Sequence, residues 1–181
     1  MDFKDILKGL VKKGDFIYTN GTMGKNFLEV AALPTNPAWI DALLDLIVPV
    51  FKKIKPDYIV CVEGISVATA THISREFGIP LLMIPKGEHP YTQTIRGEFK
   101  KNKSVVVFTT LINNPSGIMH TCEILKKNGL KTKYVVSLIN RGKNLNELFL
   151  KEEIKFLSIY DYPSDDSAEI KENENYIRLF K

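Results

Sequence analysis

The stretch from Ser104 to Gly129, SVVVFTTLINNPSGIMHTCEILKKNG, sets Thr109, Thr110, Asn113, Asn114, Ser116 and Gly117 between an apolar run and an amphipathic one. A loop that leaves a buried strand and enters a helix offers hydroxyls, amides and backbone N–H groups at the positive end of the helix dipole. That chemistry suits a phosphate. Pro115 removes one potential N–H donor from the turn. No acidic residue lies between Thr109 and Gly117. The loop therefore lacks the hard, charged oxygens that a divalent cation prefers.

The elements that must hold this loop follow from periodicity. Residues 2–13 place Phe3, Ile6, Leu7, Leu10 and Val11 on one helical face, with Gly14 as a stop. Phe16–Thr19 is expected to be a short strand and Asn20–Asn26 a turn-rich loop. Pro37 opens a helix to about Lys53, with Pro49 as a kink or an early end. Strands are expected over Asp57–Gly64, Ile79–Pro85, Ser104–Thr110, Lys131–Asn140 and Ile154–Tyr160. Helices are expected over Ser66–Gly78, Ser116–Gly129 and, briefly, from Asn144. Lys86–Lys103 is a long polar loop with room for a hairpin, and its Lys100, Lys101, Lys103 run suits a solvated turn. The order implies one α/β domain: an N-terminal helix over 1–14, a core over 15–160 and an acidic, then mixed, partly mobile tail over 161–181. Strands alternating with helices make a parallel sheet with helices on both faces. In such sheets ligands sit outside the carboxyl ends of the strands, which brings the loops Glu63–Ser66, Lys86–Arg96 and Thr109–Gly117 to one edge.

Composition narrows the function classes. The 181 residues are 44% hydrophobic, enough for a continuous core, and show no internal repeat. A net charge of +4 is too small to argue for nucleic-acid binding, and there is no appended helix-turn-helix. Cys61 and Cys122 stand in no CxxC pair, so no metal site is expected, and buried thiols in a reducing, cytoplasmic setting fit them. No apolar stretch reaches membrane length, and the amphipathic N-terminus does not read as a signal peptide.

Three segments in register resemble the type I phosphoribosyltransferases, and among them the orotate phosphoribosyltransferases. They are VCVEGISVATATHISREFGIPLLMIPK, IRGEFKKNKSVVVFTTLINNPSG and KYVVSLINRG. The resemblance covers roughly residues 15–160. It implies a phosphoribosyltransferase-like parallel-sheet fold and a reaction that displaces pyrophosphate from ribose C1. It also implies a homodimer, and Mg²⁺ only if phosphoribosyl pyrophosphate is bound. Where the family motif reads Glu-Asp followed by Thr-Thr-Gly-Gly-Ser, Thr109 and Thr110 take the acidic positions, and Asn113 through Gly117 the phosphate loop. The resemblance thus gives Thr109, Thr110, Asn113, Asn114, Ser116 and Gly117 to the ribose phosphate, and Lys25 and Arg141 to the base. Lys86 and His89 remain as catalytic candidates. The family's Arg-Lys pair reads Pro85-Lys86 here, and its Asp-Arg pair reads Asn140-Arg141.

Losing both carboxylates removes charge-assisted ribose contacts of roughly 1.5–3 kcal/mol each. The expectation is a protein with weakened or lost catalysis and a residual nucleotide- or phosphate-binding or regulatory role. The alternatives are an active phosphoribosyltransferase for orotate or another nucleobase, and a nucleic-acid-binding regulator on the same fold. Each residue also has a plain structural use. Thr109 and Thr110 can simply finish a strand, Ser116 can cap a helix, and Asn113-Asn114-Pro115 can be a turn. Glu63 can cap a loop, Arg141 can pair with an acid, and His72 and His89 can be packed or solvated.

Overall fold

The computed structural model describes residues 2–17, 23–87, 94–163 and 169–180. Six strands form one sheet in the order β4 (Leu81–Ile84), β3 (Tyr58–Val62), β5 (Ser104–Ile112), β6 (Lys131–Asn140), β7 (Lys155–Asp161) and β8 (Lys171–Glu172). Every pairing in it is parallel except β7 with β8. The central strands are unbroken apolar runs because both faces are covered: Val105, Val106, Val107 and Phe108 are all buried.

One face is covered by α1 (Phe3–Gly9), α2 (Pro37–Ile54), α3 (Ser66–Phe77) and α6 (Glu174–Phe180). Leu7, Leu43, Ile47, Phe51, Ile73 and Tyr176 pack there on Ile59, Val106 and Val136. The other face is covered by α4 (Ser116–Lys127) and α5 (Leu145–Leu150), through Ile118, Cys122, Leu125, Leu145 and Phe149. The expected parallel sheet with helices on both faces is what the structure shows. Local chemistry explains the boundaries. Asn36 caps α2 through Ala38 N with Pro37 behind it, and Gly78 closes α3 in the left-handed region at φ 62°. Pro49 lies inside α2 and does not end it. Among the described residues no helix is long and apolar enough to cross a membrane.

Three expectations need correction. The helix expected over 2–13 stops at Gly9, and β1 (Val11–Ile17) begins two residues later. The apolar spacing through Leu10 and Val11 fits a helix, but pairing decides: Val11 sits opposite Leu28, and Glu29 N–H donates to Leu10 O at 3.0 Å. Gly14, expected to stop that helix, lies within β1. Second, the loop expected over Asn20–Asn26 is strand from Met23 on, because β2 (Met23–Leu28) pairs antiparallel with β1. Residues 18–22 lie outside the described part. Third, Ile154–Tyr160 does not hold the last strand. The C-terminal segment adds β8 to the sheet edge and docks α6, where buried Tyr176 donates its hydroxyl to Leu46 O at 2.9 Å.

Candidate functional site

The carboxyl ends of β3, β5, β6 and β7 bring four short segments to one edge. At β5, Thr109 and Thr110 are 8% and 1% exposed. The Thr109 hydroxyl donates to Leu111 O at 3.1 Å. Thr110 N–H donates to Ser66 Oγ at 3.0 Å, and the same oxygen lies 3.4–3.5 Å from both threonine hydroxyls. Ser66 is the first residue of α3, so this pair fastens the end of β5 to the first turn of a neighbouring helix. Ser66 belongs to a loop expected at this edge, but nothing in the sequence marks it as the threonines' partner.

Asn113, Asn114, Ser116 and Gly117 follow at the surface. Asn114 Oδ1 accepts from Ser116 N–H at 2.9 Å and shapes the turn. Ser116 makes no side-chain cap, and Pro115 takes the N-cap position of α4. The N–H groups of Gly117 and Ile118 open that helix, a geometry that suits an anion.

Beside it, Arg141 follows β6 and is 5% exposed. Its N–H donates to Ile112 O at 2.8 Å, and Gly142 lies against the Asn113 carbonyl. The Arg141 guanidinium stands 4.9 Å from the Tyr162 ring centroid and donates from Nη2 to Asn26 Oδ1 at 3.2 Å. Asn26 is buried on β2, whereas Lys25 points to solvent and pairs with Asp15. Strand alternation turns these neighbours to opposite faces, so Asn26 reaches Arg141 and Lys25 does not. Reading the segment as a loop hid that alternation.

On the far side, Glu63 Oε1 pairs with Arg96 Nη1 at 2.5 Å, and Lys86 N–H approaches Glu63 Oε2 at 3.4 Å. An antiparallel bridge joins Met83, within β4, to Arg96. The Lys86 side chain is exposed. His89 lies outside the described residues. His72 is exposed on α3. Both thiols are buried, which pushes Cys61 up to about 12 and Cys122 up to about 11.

Among the described residues no group of three or more His, Cys, Asp or Glu could hold a metal ion. At the β5 loop the polar side chains are threonine, asparagine and serine, so the chain offers Mg²⁺ no carboxylate there. The donor set does not fit a resident Mg²⁺.

Comparison with known proteins gives the class. The crystal structure of orotate phosphoribosyltransferase from Aeropyrum pernix aligns at TM-score 0.77 and 20% identity, over 87% of this chain and 93% of that one. The Mycobacterium tuberculosis orotate phosphoribosyltransferase in complex with 5-phospho-alpha-D-ribosyl 1-diphosphate aligns at TM-score 0.71 and 12% identity, over 86% and 91%. No family model matches the chain. The chain has the type I phosphoribosyltransferase fold. In sequence, the orotate phosphoribosyltransferase of Pyrococcus horikoshii is 26% identical over 155 residues, 83% of each chain. The chain is a homologue of the orotate phosphoribosyltransferases.

Proposed function

We propose that this chain is an orotate phosphoribosyltransferase-like protein whose hold on ribose phosphate is weakened. Catalysis is reduced or lost, and a nucleotide- or phosphate-binding role remains. The observation that carries this is the engagement of Thr109 and Thr110. They are neutral and buried, and their polar groups are spent on Ser66 and the Leu111 carbonyl. Two ionised acceptors at these positions would give a sugar's hydroxyls charge-assisted partners of roughly 1.5–3 kcal/mol each. The threonines offer no such charge. Phosphate would meet Asn113, Asn114, Ser116 and Gly117 at the opening of α4, and the base would meet Arg141. Mg²⁺ would arrive only on the pyrophosphate of a bound substrate. A homodimer in a cytoplasmic setting belongs to the same proposal.

A second reading is an active transferase with an altered ribose site. The retained Arg141, held in place by Asn26 and Tyr162, supports it, as do the relatives' names.

The test is pyrophosphate release from phosphoribosyl pyrophosphate with Mg²⁺, against orotate and a panel of nucleobases. Native protein is compared with the Thr109→Glu/Thr110→Asp variant, each first checked for folding. Little or no native turnover, rising at least about tenfold in the variant, is the expected result. Native turnover of about 1 s⁻¹ or faster with one base would overturn the first reading and establish the second.

A further inference from the structure

The loop that carries Arg141 is tied to the C-terminal segment by a chain of side chains that the reading above does not use. Asn140, at the end of β6, donates from Nδ2 to Asp161 Oδ1 at 3.0 Å. The other oxygen of Asp161 accepts from Asn173 Nδ2 at 2.7 Å. Asn140 Oδ1 accepts from Gly142 N–H at 2.9 Å, and Asn140 O accepts from Tyr162 N–H at 2.8 Å. At its far end, Asn173 Oδ1 accepts from Asn175 N–H at 3.0 Å and Tyr176 N–H at 3.3 Å, so the same side chain caps α6. Asp161 is thus a carboxylate gripping two amides, one from the site loop and one from the cap of a docked helix.

We infer that Asp161 and Asn173 are positioning residues that fix the Asn140–Gly142 loop, so that docking of the C-terminal segment sets the placement of Arg141. The chemistry accounts for the residue types. A carboxylate accepts on both of its oxygens, so it can face two amide donors at once, and in its ionised form it is a strong acceptor for each. Asn173 has an oxygen for the helix and an NH₂ for the carboxylate, so a single residue joins the two elements. The part of the inference that concerns a ligand rests on the base-binding reading of Arg141; the part that concerns the loop does not.

The decisive variant is Asn173→Asp in the full chain. Aspartate caps a helix as well as asparagine does, so α6 keeps its cap. It loses the donor and sets a like charge against Asp161. Amide hydrogen exchange, followed by NMR, is expected to quicken about tenfold at Arg141 and Gly142 while Ile177, within α6, keeps its rate. The swapped pair Asp161→Asn/Asn173→Asp rebuilds the chain of donors and is expected to restore the native rate. Unchanged exchange at Arg141 and Gly142 in Asn173→Asp, or no restoration in the swap, would overturn the inference. Orotate affinity, measured by calorimetry on the same three proteins, separates the two claims. Native binding that weakens in Asn173→Asp and returns in the swap supports both. Orotate binding equal in all three, beside a loosened loop, would overturn the control of Arg141. No orotate binding by any of them would sink the base-binding reading while the exchange result still judges the loop.

Discussion

Single residues at this sheet's two edges show how position governs a side chain's use. Asp57 sits at the amino edge, before β3. It accepts from Lys103 Nζ at 2.9 Å and from both Ser104 N and Ser104 Oγ at 2.8 Å. The Lys103 contact, then the two from Ser104, hold its carboxyl down to about 2. A carboxyl depressed below its unfolded value of about 3.9 adds stability above that value, and the contribution fades as pH falls toward 2. Asp57→Asn should therefore lower the melting temperature at pH 7, and the gap to the native protein should close between about pH 4 and pH 2. A gap that stays constant over that window would show that the ionised carboxylate is not the cause. At the carboxyl edge, Thr109 and Thr110 show the opposite economy. Polar groups that could face a ligand are engaged inward, which the letters alone could not reveal.

At the scale of elements, the site depends on close approach between loops. The Arg141–Gly142 turn lies on the β5 loop so tightly that a Cβ at residue 142 would stand 2.8 Å from Asn113 O and 3.1 Å from Leu145. Gly142→Ala must push the two loops apart. It should cost about 1–3 kcal/mol, read as a lowered midpoint in urea with an unchanged slope. An unaltered midpoint would mean the loops yield freely and are not rigidly apposed. Other elements stand on local signals: Asn36 and Pro37 start α2, Gly78 stops α3, and the valines of β5 require burial on both faces. The β1–β2 hairpin has no such autonomy. Two strands are marginal alone in water, so its pairing depends on what it packs against.

Across the whole molecule, two apolar layers share one sheet, and each holds a thiol. Cys61 lies in the layer under α1, α2, α3 and α6, and Cys122 in the layer under α4 and α5. Burial raises both far above neutral pH, so neither is a ready thiolate. Both should resist a maleimide at pH 7 in native protein and become reactive together across one denaturant transition. Labelling of Cys122 well before Cys61 would show that the α4–α5 layer opens by itself.

The sequence by itself determined the five parallel strands of the six-stranded sheet and most of the helices, because unbroken apolar runs, a proline at a helix start and a glycine at a helix end act locally. Lys131–Asn140 is a strand to the residue for that reason. It also marked the β5 loop as polar and acid-free. Only the tertiary structure decided what depends on distant partners. Leu10 and Val11 fit a helical period until Leu28 and Glu29 arrive to pair with them. Asn26 meets Arg141 across 115 residues of chain, and Ser66 meets Thr110 across 44. The C-terminal segment, polar enough to read as a tail, is held by Tyr176 in the core and Asn173 on Asp161. Such contacts join residues far apart in the chain, and local periodicity carries no signal of a distant partner.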